Sequence, residues 1–371
     1  MNTSKNYLFK LTILVVLWFS LFFGFIFLVN PYGVSPFSIS IKHFNEFKPK
    51  RRDIDRTMKP YEVYKYQPKT IFMGSSRIHE SINPLNFEGT KFAPAYNAAI
   101  PANFLTMNTA QLRQYIRLNK NLKYVFIELF FWDFIFGQPS EPKLGFYDFA
   151  MNSYNLFFSK TAFTDSIHTI FYNYLNINPP IYVHEKGFWM YQSGHNPEGL
   201  FNLYTKSIVN VHKKIPQIDL QIDAFKTIND MVKLCEENNI EIYFIITPNY
   251  PYDDYRILSY GYWPLLEEWH RNVAKLPNVV SFSIYNKYLT ESVSSKMIYW
   301  SDPLHASLLF GDLMIKSILD GNINSNDTMS IINKSTVESV LNNRFIALNN
   351  WINNNSVFVN NFENTKLLDK P

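Results

Sequence analysis

Pro68-Lys69-Thr70-Ile71-Phe72-Met73-Gly74-Ser75-Ser76-Arg77 is the stretch on which the fold reading turns. Thr70–Met73 is short, β-branched and apolar, and it runs straight into a glycine, as a buried strand ending in a tight turn does. Tyr124–Leu129 is nearly continuous in apolar residues, as a strand covered on both faces should be. A short strand is expected near Ala95-Tyr96, with two more at Ile240–Ile246 and Val279–Ile284. Helical spacing fills the gaps between them: Leu105–Leu118, Leu220–Asn239 and Trp263–Lys275. Alternating strands and helices imply a parallel sheet with helices on both faces, and right-handed crossovers make it doubly wound. The expected fold class is therefore α/β, a doubly wound parallel five-stranded sheet in a three-layer, flavodoxin-like sandwich. In such sheets ligands lie outside the carboxyl ends of the strands.

Upstream, Leu11–Val29 holds nineteen residues without a charge. At about 1.5 Å per residue this matches a hydrocarbon core of roughly 30 Å. No small-x-small cleavage site follows, so an uncleaved single-pass anchor is expected over residues 1–30, with the lipid bilayer as a partner. Residues 31–66, rich in proline and charge, read as a tether. The main domain is expected over 67–322, interrupted at 138–215 by an aromatic-rich insertion that includes Gly187-Phe188-Trp189-Met190-Tyr191-Gln192. Residues 323–371 read as an Asn- and Ser-rich linker, a helix over Thr336–Asn353 and a polar tail. Counting Lys and Arg beside the span puts the domain in the cytoplasm, but Lys42 and the denser cluster beyond it lie at or past the range of that rule.

The chain of 371 residues carries a net charge of +4 and no basic stripe, which argues against nucleic acid as a partner. Its single cysteine, Cys235, excludes an internal disulfide framework and a cysteine-rich metal site. No H-x-x-x-H, P-loop or G-x-G-x-x-G occurs, so neither a metal nor a cofactor is expected. Aromatic residues make up 17% of the chain, which fits compositional drift better than a dedicated sugar- or lipid-facing surface; Trp189, beside Phe188 and Met190, reads as core.

Two short patterns carry chemistry. A serine just past the first strand has its hydroxyl at the sheet's active edge, although a Ser in that place also serves as a helix N-cap. Late in the chain comes Asp302-Pro303-Leu304-His305, ahead of a helix-like run over Ser307–Leu319. Asp and His three apart on a turn can set the imidazole tautomer and leave the other ring nitrogen free to take a proton.

Together the two patterns resemble the SGNH (GDSL-type) hydrolase superfamily. Gly74-Ser75-Ser76 is similar to its first block, with Ser76 in the nucleophile's place, and Asp302 and His305 match its closing D-x-x-H. Asn97-Ala98-Ala99-Ile100-Pro101-Ala102 resembles the second block, Asn-x-x-x-x-Gly, with Ala102 where the oxyanion glycine stands. The third block, G-x-N-D, keeps Asp133 but has Trp132 in place of its Asn, removing an oxyanion donor worth about 10² to 10³ in rate. The likeness runs along most of the chain, to membrane-anchored bacterial proteins distantly related to polysaccharide O-acetyltransferases and esterases.

The resemblance implies a membrane-anchored serine esterase or O-acyltransferase, its main domain extracytoplasmic, acting on an acylated cell-envelope or exported polysaccharide. An acyl-donor partner in the membrane would go with the transferase reaction. The expected catalytic residues are Ser76, His305 and Asp302; the expected oxyanion or substrate residues are Ala102, Asn97, Ser75 and Arg77. Ser75 also competes for the nucleophile's place, and Arg77 fits either a carboxylate or acidic-sugar contact or an ordinary solvated or ion-paired arginine. The alternative is a domain that kept the fold and lost catalysis, binding glycan or serving assembly.

Overall fold

The computed structural model describes residues 2–35, 39–177, 181–191, 196–203, 219–320 and 328–368. In chain order these form α1 (Asn2–Val29), α2 (Asp55–Tyr66), β1 (Thr70–Met73), α3 (Ser76–Ser81), β2 (Ala95–Asn97), α4 (Leu105–Leu118) and β3 (Tyr124–Leu129). Next come α5 (Phe146–Phe158), α6 (Lys160–Tyr174), β4 (Ile181–Val183), β5 (Trp189–Tyr191), α7 (Ile222–Glu237), β6 (Glu241–Ile246), α8 (Pro251–Ser259), α9 (Trp263–Val273) and β7 (Val279–Ser281). The chain closes with β8 (Trp300–Asp302), β9 (His305–Ala306), α10 (Leu308–Asp320), β10 (Ser330–Ile332), α11 (Val337–Asn354) and α12 (Ser356–Leu368). They belong to two compact units: Met1–Tyr66 with Leu144–Glu185 and Met190–Ser193, and Gln67–Lys143 with Lys186–Trp189 and Gly194–Pro371.

The larger unit is α/β, built on a mixed, mostly parallel sheet of six strands in the order β10-β7-β6-β3-β1-β2. The five expected strands are present and parallel to one another. The count of five is corrected by β10, which lies in the stretch read as a linker and pairs antiparallel with β7. Three residues are too few to show a period in sequence, and this strand is defined by the edge it joins. Chain order reverses beside β1, with β2 on one side and β3 on the other, so the crevice of such a sheet opens at the carboxyl ends of β1 and β3.

Register explains why the centre of the sheet is firm. Phe72 on β1 pairs with Phe126 on β3, which pairs with Tyr243 on β6. Their rings stack in a row, each centroid 4.7 Å from the next, and such aromatic pairs contribute beyond their buried area. Around this row Ile78, Ile82, Ile245, Phe282 and Phe310 close the core.

The smaller unit revises two sequence boundaries. Residues expected to form a tether include α2, whose Met58, Lys59 and Val63 are fully buried. Part of the expected insertion, α5 and α6, belongs to this same unit. Proline and charge, read as tether signals, are here absorbed by a buried ion pair, Arg51 Nη2 to Glu62 Oε1 at 2.5 Å, and by Pro60 within α2. The expected polar tail is instead mostly helical, as α12. Helix α1 is long and apolar enough to cross a membrane. Gln192, residues 204–215 of the expected insertion, residues 323–327 of the linker and the last three residues of the tail lie outside the described residues.

Candidate active site

Strand β1 ends in Gly74, whose φ of +154° is one that side-chain-bearing residues rarely adopt. A Cβ there would sit 2.6 Å from both Cβ and Oε2 of Glu128. Ser75 then caps α3, its hydroxyl accepting the Arg77 N–H at 3.3 Å. Ser76 is the first residue of α3, so its amide is among the first-turn groups that have no acceptor within the helix.

Asp302 and His305 face each other across the tight antiparallel hairpin of β8 and β9. The hairpin is held by the carboxylate itself: Asp302 Oδ1 accepts the Leu304 N–H at 2.7 Å and the His305 N–H at 3.0 Å. Its other oxygen, Oδ2, lies 2.7 Å from His305 Nδ1, and His305 Nε2 lies 2.7 Å from Ser76 Oγ. A carboxylate at Nδ1 keeps the proton there, so Nε2 presents its lone pair to the serine hydroxyl. Residues 229 positions apart therefore form one hydrogen-bonded chain.

What joins the two halves of this chain is a close helix contact. α10, which follows the hairpin, passes so near the end of α3 that a Cβ on Gly311 would meet the Ser81 carbonyl oxygen at 1.5 Å. Only a glycine fits this crossing.

Two acidic residues complete the site, and neither was singled out as functional from the sequence. Glu80, one turn after Ser76 on α3, is 3% exposed and places Oε1 3.7 Å from His305 Nε2. Glu128, near the end of β3, accepts the Ser75 N–H at 2.6 Å and the Thr247 hydroxyl at 3.1 Å, tying together the carboxyl ends of β1, β3 and β6. The signal for Glu128 was one carboxylate inside an otherwise apolar strand. Glu80 had only its spacing of four residues from Ser76, which sets both on one helix face.

The charges polarise the imidazole. Burial lowers the His305 pKa, but the Glu80 charge and the Asp302 hydrogen bond and charge outweigh it and hold the pKa above its ordinary value, with Arg77 opposing. Burial pushes the Asp302 carboxyl up, yet the hydrogen bond and charge of His305 and the two backbone donors bring it below the usual range. Burial and the Glu128 charge push Asp133 up to about 8.

The remaining expected residues divide. Asn97 is fully buried, and its amide donates to Ile78 O and Ile82 O, both at 2.9 Å, while its oxygen accepts the Ala99 N–H. It clamps α3 to the loop after β2, which corrects its expected place as a substrate-facing group. Ala102 keeps a left-handed φ of +51°, the backbone a glycine would supply, and Ile100 nearby hydrogen-bonds Gly74 O at 3.0 Å. Arg77 is buried, its Nη1 donating to Asn249 Oδ1 at 2.5 Å and its guanidinium 3.9 Å over the Phe130 ring; it is not a solvated residue, and among the described residues it is not half of an ion pair. Trp132 turns its Nε1 toward Asp253 Oδ2 at 3.3 Å and packs under Arg256, so its side chain is committed to structure. Trp189 is buried against His79, as its neighbours suggested.

No protein-family model, curated protein or solved structure matches the chain.

Proposed function

We propose that the larger unit is a serine acyl-transfer enzyme of SGNH type, held at a membrane by α1 with its body outside the cytoplasm. The observation that carries this reading is the Ser76–His305–Asp302 chain, with both links at 2.7 Å. In the first half-reaction His305 Nε2 takes the Ser76 proton as Oγ bonds to an ester carbonyl carbon. The carbonyl oxygen becomes an anion, held by the backbone N–H groups of Ser76 and Ala102. Collapse breaks the bond to the leaving alkoxide, which departs as an alcohol with the proton from His305, leaving an acyl-serine. In the second half, His305 takes a proton from water or a sugar hydroxyl as that oxygen bonds to the acyl carbon; the bond to Ser76 Oγ then breaks and His305 returns the proton to Oγ. The fold, the anchor and the likeness of the motifs favour an acylated cell-envelope or exported polysaccharide as substrate.

Trp132 favours a second reading, a glycan-binding or assembly protein without turnover, because the side-chain oxyanion donor is missing. Purified full-length protein treated with a fluorophosphonate probe separates the two. Covalent labelling in wild type, lost in Ser76→Ala, is the expected result. A wild type that never labels but binds acylated glycan overturns the enzymatic reading.

A further inference from the structure

The smaller unit gives α1 a companion. α5 and α6 form a helical hairpin with only Ser159 between them, and the residues at its tip lie against the last two turns of α1. Phe163 stacks on Phe22 at 4.6 Å, Phe158 meets Phe23 at 4.9 Å, and Phe157 stacks on Phe27 at 5.2 Å. From Phe22 to the end of α1 at Val29 is about 10 Å along the helix axis.

Charge and the helix end decide where that level lies. Lys10 is the last charge before the apolar stretch and α1 stops at Val29, ahead of Asn30 and Pro31, which leaves Leu11–Val29 as the charge-free part of the helix. Nineteen residues span about 28 Å, so none of them is left over to rise above a core of roughly 30 Å. The hairpin tip that covers Phe22–Val29 must therefore share the hydrocarbon layer with them.

The rest of the hairpin is built for that place. On α5, Tyr147, Met151 and Tyr154 form one exposed stripe at i, i+4 and i+7, and on α6 Ile167, Phe171 and Tyr174 form another. A set of large apolar groups of this kind marks an interaction surface rather than ordinary solvent-facing helix. The hydroxyls of Ser153, Ser159, Thr164, Ser166 and Thr169 each donate to a carbonyl of their own hairpin, as polar groups away from water must. Lys160, at the tip, has an alkyl stem that can lie along apolar surface while its charge reaches the headgroups.

We propose that the α5–α6 hairpin is a second membrane element, a monotopic insert that enters the same leaflet as the C-terminal end of α1, with lipid as its occupant. This rests on α1 spanning the bilayer. It gives the anchor a fixed base of three helices in place of a single swivelling one.

The test uses the full chain in phosphatidylcholine–phosphatidylglycerol vesicles with a nitroxide on single added cysteines at Leu14, Asp53, Tyr154 and Thr161. Wild type, whose Cys235 is buried, gives the background. Collision with oxygen against collision with a water-soluble nickel chelate reports depth. Leu14, Tyr154 and Thr161 are expected to favour oxygen several-fold over Asp53. Leu14 in lipid with Tyr154 and Thr161 in water overturns the hairpin insert alone. Tyr154 and Thr161 shielded from both reagents make the occupant protein and overturn it too. Leu14 in water removes the spanning reading, and the insert with it.

Discussion

Among the described residues of the larger unit, two groups join an aspartate to a histidine, one directly and one through an arginine, and they have been put to opposite use. In one, Asp302 holds His305 Nδ1 and Ser76 meets Nε2, with the imidazole 18% exposed. In the other, Asp254 is gripped by Arg344 through Nε at 2.8 Å and Nη2 at 2.5 Å, while Arg344 Nη1 donates to His270 Nε2 at 3.3 Å. His270 Nδ1 donates to the Leu266 carbonyl, and the Tyr285 hydroxyl donates to Asp254. All three members, Asp254, His270 and Arg344, are buried. A cation at Nε2 and complete burial push the His270 pKa down to about 3, burial being the larger cause. Anions around His305 push its pKa the other way. Residue type does not distinguish the two histidines. The charge facing the second ring nitrogen does, together with access to that nitrogen.

The largest effect expected from breaking the first group is on chemistry. Ser76→Ala or His305→Ala should each lower turnover by on the order of 10⁶, with the double variant no worse, because such residues act as a unit. Burst kinetics with an activated ester and fluorophosphonate labelling measure it. Additive losses would mean that the two do not act together.

Breaking the second group should cost stability and leave the chemistry of the folded protein alone. Arg344→Met strands the Asp254 carboxylate in the core, where removing one partner of a buried pair costs about 3–5 kcal/mol. Denaturant melts should show the loss, while the labelling rate per folded molecule stays near wild type. A rate loss larger than the folded fraction explains would tie the α8–α9–α11 cluster to the site and dissolve the contrast.

Gly311→Ala tests whether the first group depends on helix placement. The added methyl must push α10 away from Ser81 O, and with it the hairpin that carries His305. A displacement near 1 Å at a reacting pair lowers the rate about 10²-fold. The thermal melt and the labelling rate should both fall; an unchanged rate would show that the hairpin moves independently of α10.

The sequence exposed the parts of this contrast that are local. β1 with Gly74-Ser75-Ser76 is a strand, a turn and a cap in consecutive residues, and Asp302 and His305 sit across a two-residue turn, so both were legible. β3 and β6 announced themselves by apolar runs, and α4 matched its periodicity over Leu105–Leu118. What stayed hidden depends on distant partners. Arg344 and His270 are 74 residues apart, and a charged residue within a helical pattern reads as a solvated face until the opposing helix is known. Glu80 reads the same way, although its partner His305 lies far along the chain, beside its neighbour Ser76. β10 is three residues long and defined by β7, while α2 hid its buried Lys59 within a charge-rich stretch that looked like linker.

Glu80 offers the finest test, because it tunes the base without belonging to the proton path. The groups facing His305 are Ser76, Asp302, Glu80 and Arg77. Of the charges that raise its pKa, Glu80 is the leading one and is not hydrogen-bonded at Nδ1. His305 accepts the Ser76 proton only when neutral, so activity rises with pH through its folded pKa, which lies above the ordinary 6.5. Replacing Glu80 with Gln keeps the shape and removes the charge. The acid limb of the pH–rate profile should then move to lower pH, with the plateau on its alkaline side little changed. Stability follows by linkage. A raised folded pKa contributes stability that is fully present below the unfolded value and lost as pH rises through the folded one. Glu80→Gln should therefore flatten the fall in Tm over that window. A limb that stays in place while Tm drops uniformly would reduce Glu80 to packing, and the two histidines would then differ by access and Asp302 alone.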